Sequence, residues 1–333
     1  MYSALTKSPT LIDIWKPATR SARSSSRCDR GTPLSHINRE VTMRSQVAFQ
    51  APAINRKTVG DMTVTMLSDG YLDVSFELLD GIDAAKAEAL LEKRGAPPLP
   101  RMNINAYVVQ TAERTILIDG GAGGINGWGG RLQVALAAAG IDPLDIDTIL
   151  LTHAHPDHIG GLAAPLQSPV FRNVQQFFVH EKELAFWRDD SIYSNAPEGF
   201  RPFFDVARNA FNAYGEKLVP FHQESILPGI QTVPLFGHTP GHTGYLLGDG
   251  RDTLLIWGDI VHFPHIQLAQ PEVTIAFDSD AAQAARTRAQ LLDRVATDKL
   301  SISGMHFNLP TTASVQREGN AYLLNYDLWS PAV

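Results

Sequence analysis

A single cysteine, Cys28, stands in 333 residues, so no disulfide can form within the chain. Its place in a polar, serine-rich stretch makes it a poor metal ligand or nucleophile. Long apolar runs are missing as well. Nothing approaches the length of a membrane span, and the first residues lack the unbroken apolar block of a secretory signal, so a cytoplasmic protein with no membrane partner is expected. Basic charge is scarce where a fold is expected. Residues 1–45 hold eight Lys/Arg against three Asp/Glu, so the net charge of −7 leaves −12 on the remainder. A domain that acidic repels nucleic acid and anionic lipid, and a neutral or cationic small molecule is the better partner.

Residues 1–45, with the run Arg20-Ser21-Ala22-Arg23-Ser24-Ser25-Ser26-Arg27, also lack sustained periodicity and enough apolar surface to offset the entropy of ordering. They read as a disordered tail, either a targeting segment or the product of a mis-assigned start, since Met43 opens a plausible shorter chain. Residues 46–333 then form the folded domain. Its 44% hydrophobic content supplies an ample core.

Gly60 to Gly70 alternates apolar and polar residues and closes on a turn signal at Ser68-Asp69-Gly70; Asn105 to Val109 and Thr115 to Ile118 make further strands. Ala84 to Arg94 reads as an inserted helix, and Leu132 to Gly140 as a helix stopped by glycine. Glu181 to Arg188 is a third, and 189–215 a long irregular stretch carrying Tyr193, Phe200, Phe203, Phe204 and Phe211. In the second half, strands at Gln231 to Phe236, Tyr245 to Leu247, Thr253 to Trp257 and Ser301 to Ser303 accompany a helix from Asp280 to Ala296, capped by Asp278 or Ser279. Strands followed by helices, twice over, predict an α/β fold: an αββα sandwich with two central, mostly antiparallel sheets flanked by helices.

The chemistry concentrates in Thr152-His153-Ala154-His155-Pro156-Asp157-His158-Ile159-Gly160-Gly161, directly after the apolar run Thr148 to Leu151. Imidazole and carboxylate are the ligands zinc takes when no thiolate is offered. In extended chain, alternate side chains share a face, so His153 and His155 address one ion, while Asp157 and His158, past the proline, address a second. Asp119, at a strand end before glycines, is either a turn residue or an acceptor that holds a ligand histidine in one tautomer.

This pattern resembles the signature of the metallo-β-lactamase superfamily, and further motifs follow in order over residues 54–325: Gly237-His238-Thr239-Pro240-Gly241-His242, Gly258-Asp259, and Gly304-Met305-His306. The resemblance implies a first metal on His153, His155 and His242, a second on Asp157, His158 and His306, and Asp259 as the bridging carboxylate. It leaves His238 a structural residue. Two Zn²⁺ ions, with Mn²⁺, Co²⁺ or Fe²⁺ as other candidates, can share a hydroxide that serves as nucleophile at neutral pH, with Asp157 hydrogen-bonded to it.

Within the superfamily the chain is most similar to the branch of methyl parathion hydrolase, dihydrocoumarin-type lactonases and N-acyl homoserine lactonases. The resemblance rests on the motifs above and on Gln267 to Asp280. It implies a homodimeric hydrolase of small hydrophobic lactones or aryl esters, with phosphotriesters as side substrates. The alternatives are a dedicated organophosphate hydrolase, a mononuclear iron dioxygenase acting on sulfur compounds and, most remotely, a binding protein without catalysis. Where acyl homoserine lactonases carry a substrate-touching tyrosine this chain has His262, which polarises a carbonyl, assists the leaving alkoxide, or lines the wall. Trp187, Phe203, Phe204 and His265 are the expected pocket residues.

Overall fold

The alternating run after Gly60 becomes the spine of the first sheet. Met62–Asp73 pairs antiparallel with Ile54–Val59 on one side and Arg101–Gln110 on the other, and Arg101–Gln110 with Thr115–Ile118. Thr148–Leu150, Gln176–His180 and Leu218–Phe221 then add in parallel. The computed structural model describes residues 50, 51, 53–250 and 252–333, so the expectations for residues 1–45, Cys28 and Met43 lie outside the described residues. The second sheet runs Ser225–Leu227, Ile230–Pro234, Thr243–Asp249, Asp252–Ile256, Ser301–Ser303, Thr312–Glu318 and Ala321–Tyr326. Only its central pairing, Asp252–Ile256 with Ser301–Ser303, is parallel.

The inner faces of both sheets close on one apolar layer, Tyr107, Ile118 and Leu150 meeting Tyr245, Leu247 and Ile256. Outside the first sheet lie the helices Leu132–Ala139, Glu181–Arg188 and Arg201–Tyr214. Outside the second lies Ala281–Asp298, through Leu291, Leu292 and Val295. The expected αββα sandwich is therefore present, with the second sheet mostly antiparallel and the first evenly mixed. A fourth cluster joins the inserted helix Ala84–Lys93 to Phe263, Ile266 and Val273 beside the ligand loops.

Three expectations change. The stretch 189–215 is not irregular: Arg201–Tyr214 is an amphipathic helix that buries Phe203, Phe204, Ala207, Ala210, Phe211 and Tyr214, spaced at helical period. Pro202 sits in the first turn, where proline costs no hydrogen bond, so it starts the helix. Ser68-Asp69-Gly70 is not a turn but an irregularity inside a continuous strand. The buried Asp69 carboxylate accepts from the amides of Ala122, Gly130, Arg131 and Leu132, and Gly70, at φ +123°, admits the close approach of Gly129. The cap of Ala281–Asp298 is Asp280, whose side chain accepts from the Gln283 amide; Asp278 faces the other way.

Candidate metal centre

Every candidate ligand follows the carboxyl end of a strand. Thr148–Leu150 lies between two parallel neighbours and delivers His153 and His155 at the sheet edge. His155 is extended, as a residue before proline must be, and Pro156 opens the short helix Pro156–Ile159 that carries Asp157 and His158. From the second sheet come His238 after Ile230–Pro234, Asp259 after Asp252–Ile256 and His306 after Ser301–Ser303.

The side chains converge in two adjoining groups, His153, His155 and His238, and Asp157, His158, Asp259 and His306, and a third, His238, Asp259 and His262, overlaps both. In the first, His153 Nε2 and His155 Nδ1 are 3.1 Å apart, His155 Nδ1 and His238 Nε2 2.9 Å, and His238 Nε2 and His153 Nε2 3.2 Å. In the second, Asp259 Oδ2 lies 2.8 Å from His306 Nε2 and 3.1 Å from His158 Nε2. The same oxygen is 3.8 Å from both His153 Nε2 and His238 Nε2, so one carboxylate touches both groups.

The outer ring nitrogens show what these groups are for. His306 Nδ1 faces the Asn103 carbonyl at 2.6 Å, His158 Nδ1 the Asp119 carboxylate at 2.8 Å, and His238 Nδ1 the Asp278 carboxylate at 2.8 Å. His153 Nδ1 lies 3.1 Å from Thr152 Oγ1, whose hydroxyl donates to Asp119. These acceptors hold the ring protons on the outside, which aims the inner lone pairs of four imidazoles at each other and at carboxylate oxygens. Buried lone pairs so arranged repel unless a cation lies among them, and the donor set is the one divalent zinc prefers. The residues therefore fit metal ions.

Burial pushes His153, His155 and His238 well below the ordinary imidazole pKa, leaving them neutral ligands. Burial is the largest influence on His158 and His306 and opposes their charge, but the neighbouring carboxylates together, Asp259 and Asp157 at both and Asp119 at His158, outweigh it and raise both. Burial works most strongly against ionised Asp157 too, yet the His158 and His306 imidazoles together hold it at about 2.

One expected ligand is corrected. His242 is in none of these groups, because both its ring nitrogens are engaged: Nδ1 donates to the Leu235 carbonyl at 2.9 Å, and Nε2 accepts from the Asp259 amide at 2.9 Å. Gly258, at φ +57°, makes the second contact possible, since a Cβ there would run into that imidazole. His238 stands with His153 and His155 in its place, and His242 braces the backbone that presents Asp259. Asp119 is the tautomer-holding acceptor rather than a turn residue alone.

His262 lies against the second group, with Nε2 3.3 Å from Asp259 Oδ2, and neither of its buried ring nitrogens has a hydrogen-bond partner. Of the expected pocket residues, only Phe203 lines the small cavity over the ligands, together with Leu72, Met102, Trp128 and Phe277. Trp187 and Phe204 are fully buried; the Trp187 ring backs His155, and its Nε1 donates to Glu183. His265 lies away from the site, beside Tyr326. No motif marks Leu72, Met102 or Trp128, which arrive from the insertion side of the first sheet and from a glycine-rich loop.

Glu183 carries no motif either, yet its buried carboxylate joins the two histidine loops. Oε1 accepts from the Ala154 amide, between His153 and His155, and Oε2 from the Thr239 hydroxyl and the Gly241 amide beyond His238. A lone glutamate in a helix has no sequence signature for such a role.

The chain belongs to the metallo-β-lactamase superfamily, whose family model matches residues 99–303. Among solved structures it is similar to the hydrolase AbOPH of the β-lactamase superfamily, at 27% identity and a TM-score of 0.78, over 85% of this chain and all of that one. It is equally similar in fold to AidC, a dizinc quorum-quenching lactonase solved with its product, at 25% identity and a TM-score of 0.78, over 84% of this chain and 99% of that one. Among curated proteins it is 28% identical over 169 residues to the probable metallo-hydrolase YqgX of Bacillus subtilis, covering 49% of this chain and 69% of that protein. With this site and these neighbours the chain is a metal-dependent hydrolase. No helix of the described residues is long and apolar enough to cross a membrane.

Proposed function

We propose that the protein is a two-zinc hydrolase of small, uncharged, apolar lactones or aryl esters, with phosphotriesters as side substrates. The observation that carries the reading is the single Asp259 oxygen that lies within 3.8 Å of ring nitrogens from both ligand groups. A mononuclear iron dioxygenase has no use for the second group. Two divalent cations, when bound, supply a hydroxide at neutral pH and polarise the electrophile it attacks.

The chain's own residues do the rest. His153, His155 and His238 would hold one ion, and Asp157, His158 and His306 the other, with Asp259 between them. Asp157, ionised over the whole physiological range, accepts a proton's hydrogen bond at the site. His262 stands within reach of both groups with two free ring nitrogens, so it hydrogen-bonds the substrate carbonyl or the departing alkoxide. The walls Leu72, Met102, Trp128, Phe203 and Phe277 are apolar and carry no Lys or Arg, which favours neutral substrates over phosphomonoesters or nucleic acid. The likeness to AidC, itself described as a dizinc lactonase, supports both the metal and the substrate class.

Metal analysis of the purified chain, followed by parallel assays on a lactone, an aryl ester, a phosphotriester and a β-lactam, tests the reading. Two zinc per chain and turnover of the first two are expected. One ion per chain, or turnover of the β-lactam alone, would overturn it. Replacing His262 by Ala should slow lactone hydrolysis far more than it weakens metal binding; loss of an ion would make it a ligand instead.

A further inference from the structure

Midway along the helix Ala281–Asp298, a cation stands on an apolar stripe. Arg288 is in line with Ala284, Leu291, Leu292 and Val295 and is 0% exposed. Burial pulls its pKa down, and the carboxylates of Asp278 and Glu272 oppose this only through space, with no ion pair among the described residues. A buried guanidinium is costly unless its N–H groups are satisfied. Its hydrogen bonds go to main-chain carbonyls: Nε donates to Ile260 at 2.6 Å, and Nη1 to Pro271 at 2.8 Å and to Val273 at 2.5 Å.

These carbonyls flank the turn that carries His262. The buried Gln267 closes the circuit. Its Nε2 donates to the same Val273 carbonyl at 3.1 Å, and its Oε1 accepts from the His262 amide at 2.6 Å and from the Phe263 amide at 3.1 Å. A ring of hydrogen bonds therefore runs from Ile260 through Arg288, Val273 and Gln267 to His262. Asp259, one residue before this turn, has a brace of its own in His242.

His262 depends on such support more than its neighbours do. The outer nitrogens of His158, His238 and His306 are anchored by Asp119, Asp278 and the Asn103 carbonyl, whereas neither ring nitrogen of His262 has a partner. Packing against the rings of His238 and His306, at centroid distances of 4.7 and 5.4 Å, confines the imidazole without aiming either nitrogen. Its direction is set by the backbone beneath it.

We propose that Arg288 is a positioning residue, which aims the His262 imidazole at the substrate by clamping the carbonyls of Ile260 and Val273. The inference rests on the proposed role of His262 and deepens it by naming what holds that side chain in place.

The test is a double-mutant cycle on the metal-loaded full chain, with Arg288→Met and His262→Ala singly and together. Methionine fills much of the space and removes every donor. In R288M, kcat for a lactone and an aryl ester should fall roughly 10- to 100-fold, with KM nearly unchanged and metal content as in the wild type. In the H262A background the same substitution should change kcat by less than about twofold, because no imidazole is left to aim. R288K keeps the charge but not the planar fork, so it should recover part of the loss, and it runs the same cycle if R288M does not fold.

An R288M chain with wild-type kcat overturns the proposal. So does an equal loss in both backgrounds, which support of the fold at large would give. Loss of an ion from R288M overturns it as well, since Arg288 would then serve the metal ligands. If H262A hydrolyses as fast as the wild type, or the wild type hydrolyses neither substrate, the reading of His262 fails by itself. The imidazole NMR signals of His262, identified by their loss in H262A, then decide the clamp: a shift in R288M supports it, and unshifted signals overturn it.

Discussion

The two ligand groups differ in how they manage charge. The first consists of three imidazoles that burial keeps neutral, so an ion there brings two positive charges into an apolar wall of Trp187, Phe200 and Phe203. The second contains Asp157 and Asp259 and compensates an ion locally. The first group must therefore lean on the shared Asp259 and on outer carboxylates, Asp278 behind His238 and Glu183 between the loops. The second group is the more self-sufficient. On the proposed two-ion reading, a tight ion beside a looser one is expected from this difference, with Asp259 as the point of coupling.

Removing Asp259 should have the largest effect, because it strips the first group of its only direct negative charge and the second of half its own. For Asp259→Ala, turnover should fall on the order of a thousandfold and metal content below one ion per chain. Retention of both ions by elemental analysis would break the asymmetry at its root. The pair His238→Ala and His242→Ala comes next. His238→Ala should lose about one ion and most activity, with the second ion retained. His242→Ala should keep both ions and instead lose stability by about 1–3 kcal/mol, because the buried Leu235 carbonyl and Asp259 amide lose their partner. The reverse outcome, read by metal content and melting curves, would restore His242 as the ligand.

Glu183→Gln sharpens the comparison further. The amide still fills the space but offers one acceptor oxygen to bonds that come from both loops. Affinity for the looser ion should weaken by about 10- to 100-fold, with the tighter one unaffected, as read by competition with a chelating dye. Equal weakening of both would assign Glu183 to general folding. The smallest effects separate the two neighbouring phenylalanines. Phe203→Leu should shift substrate preference with little change in stability, and Phe204→Leu should cost about 1 kcal/mol of stability without altering preference.

Much of this was legible in the sequence because it is local. Period-two and helical patterns located most strands, the inserted helix and Glu181–Arg188, and the spacing from His153 to His158 pointed to two ions before any geometry. What stayed hidden depends on neighbours remote in the chain. His238 and His242 are equivalent as letters, and only Leu235 and the backbone at Gly258-Asp259 decide which one turns inward. Asp69 and Gly70 read as a turn by type, and Asp69 is buried only because four amides from the 122–132 loop come to its carboxylate. Arg201–Tyr214 was masked by Pro202 and a run of aromatics that suggests a loop, although the apolar spacing was helical. Phe203 and Phe204 are adjacent in sequence and diverge by about 100° around that helix, which puts one at the site and the other in the core.

The proposed hydrolysis depends on two ions coupled through one carboxylate. Electron paramagnetic resonance of the chain loaded with two equivalents of Mn²⁺ reads that coupling directly. An exchange-coupled multiline signal that vanishes in Asp259→Ala is the expected result; two independent six-line spectra, unchanged by that substitution, would contradict it.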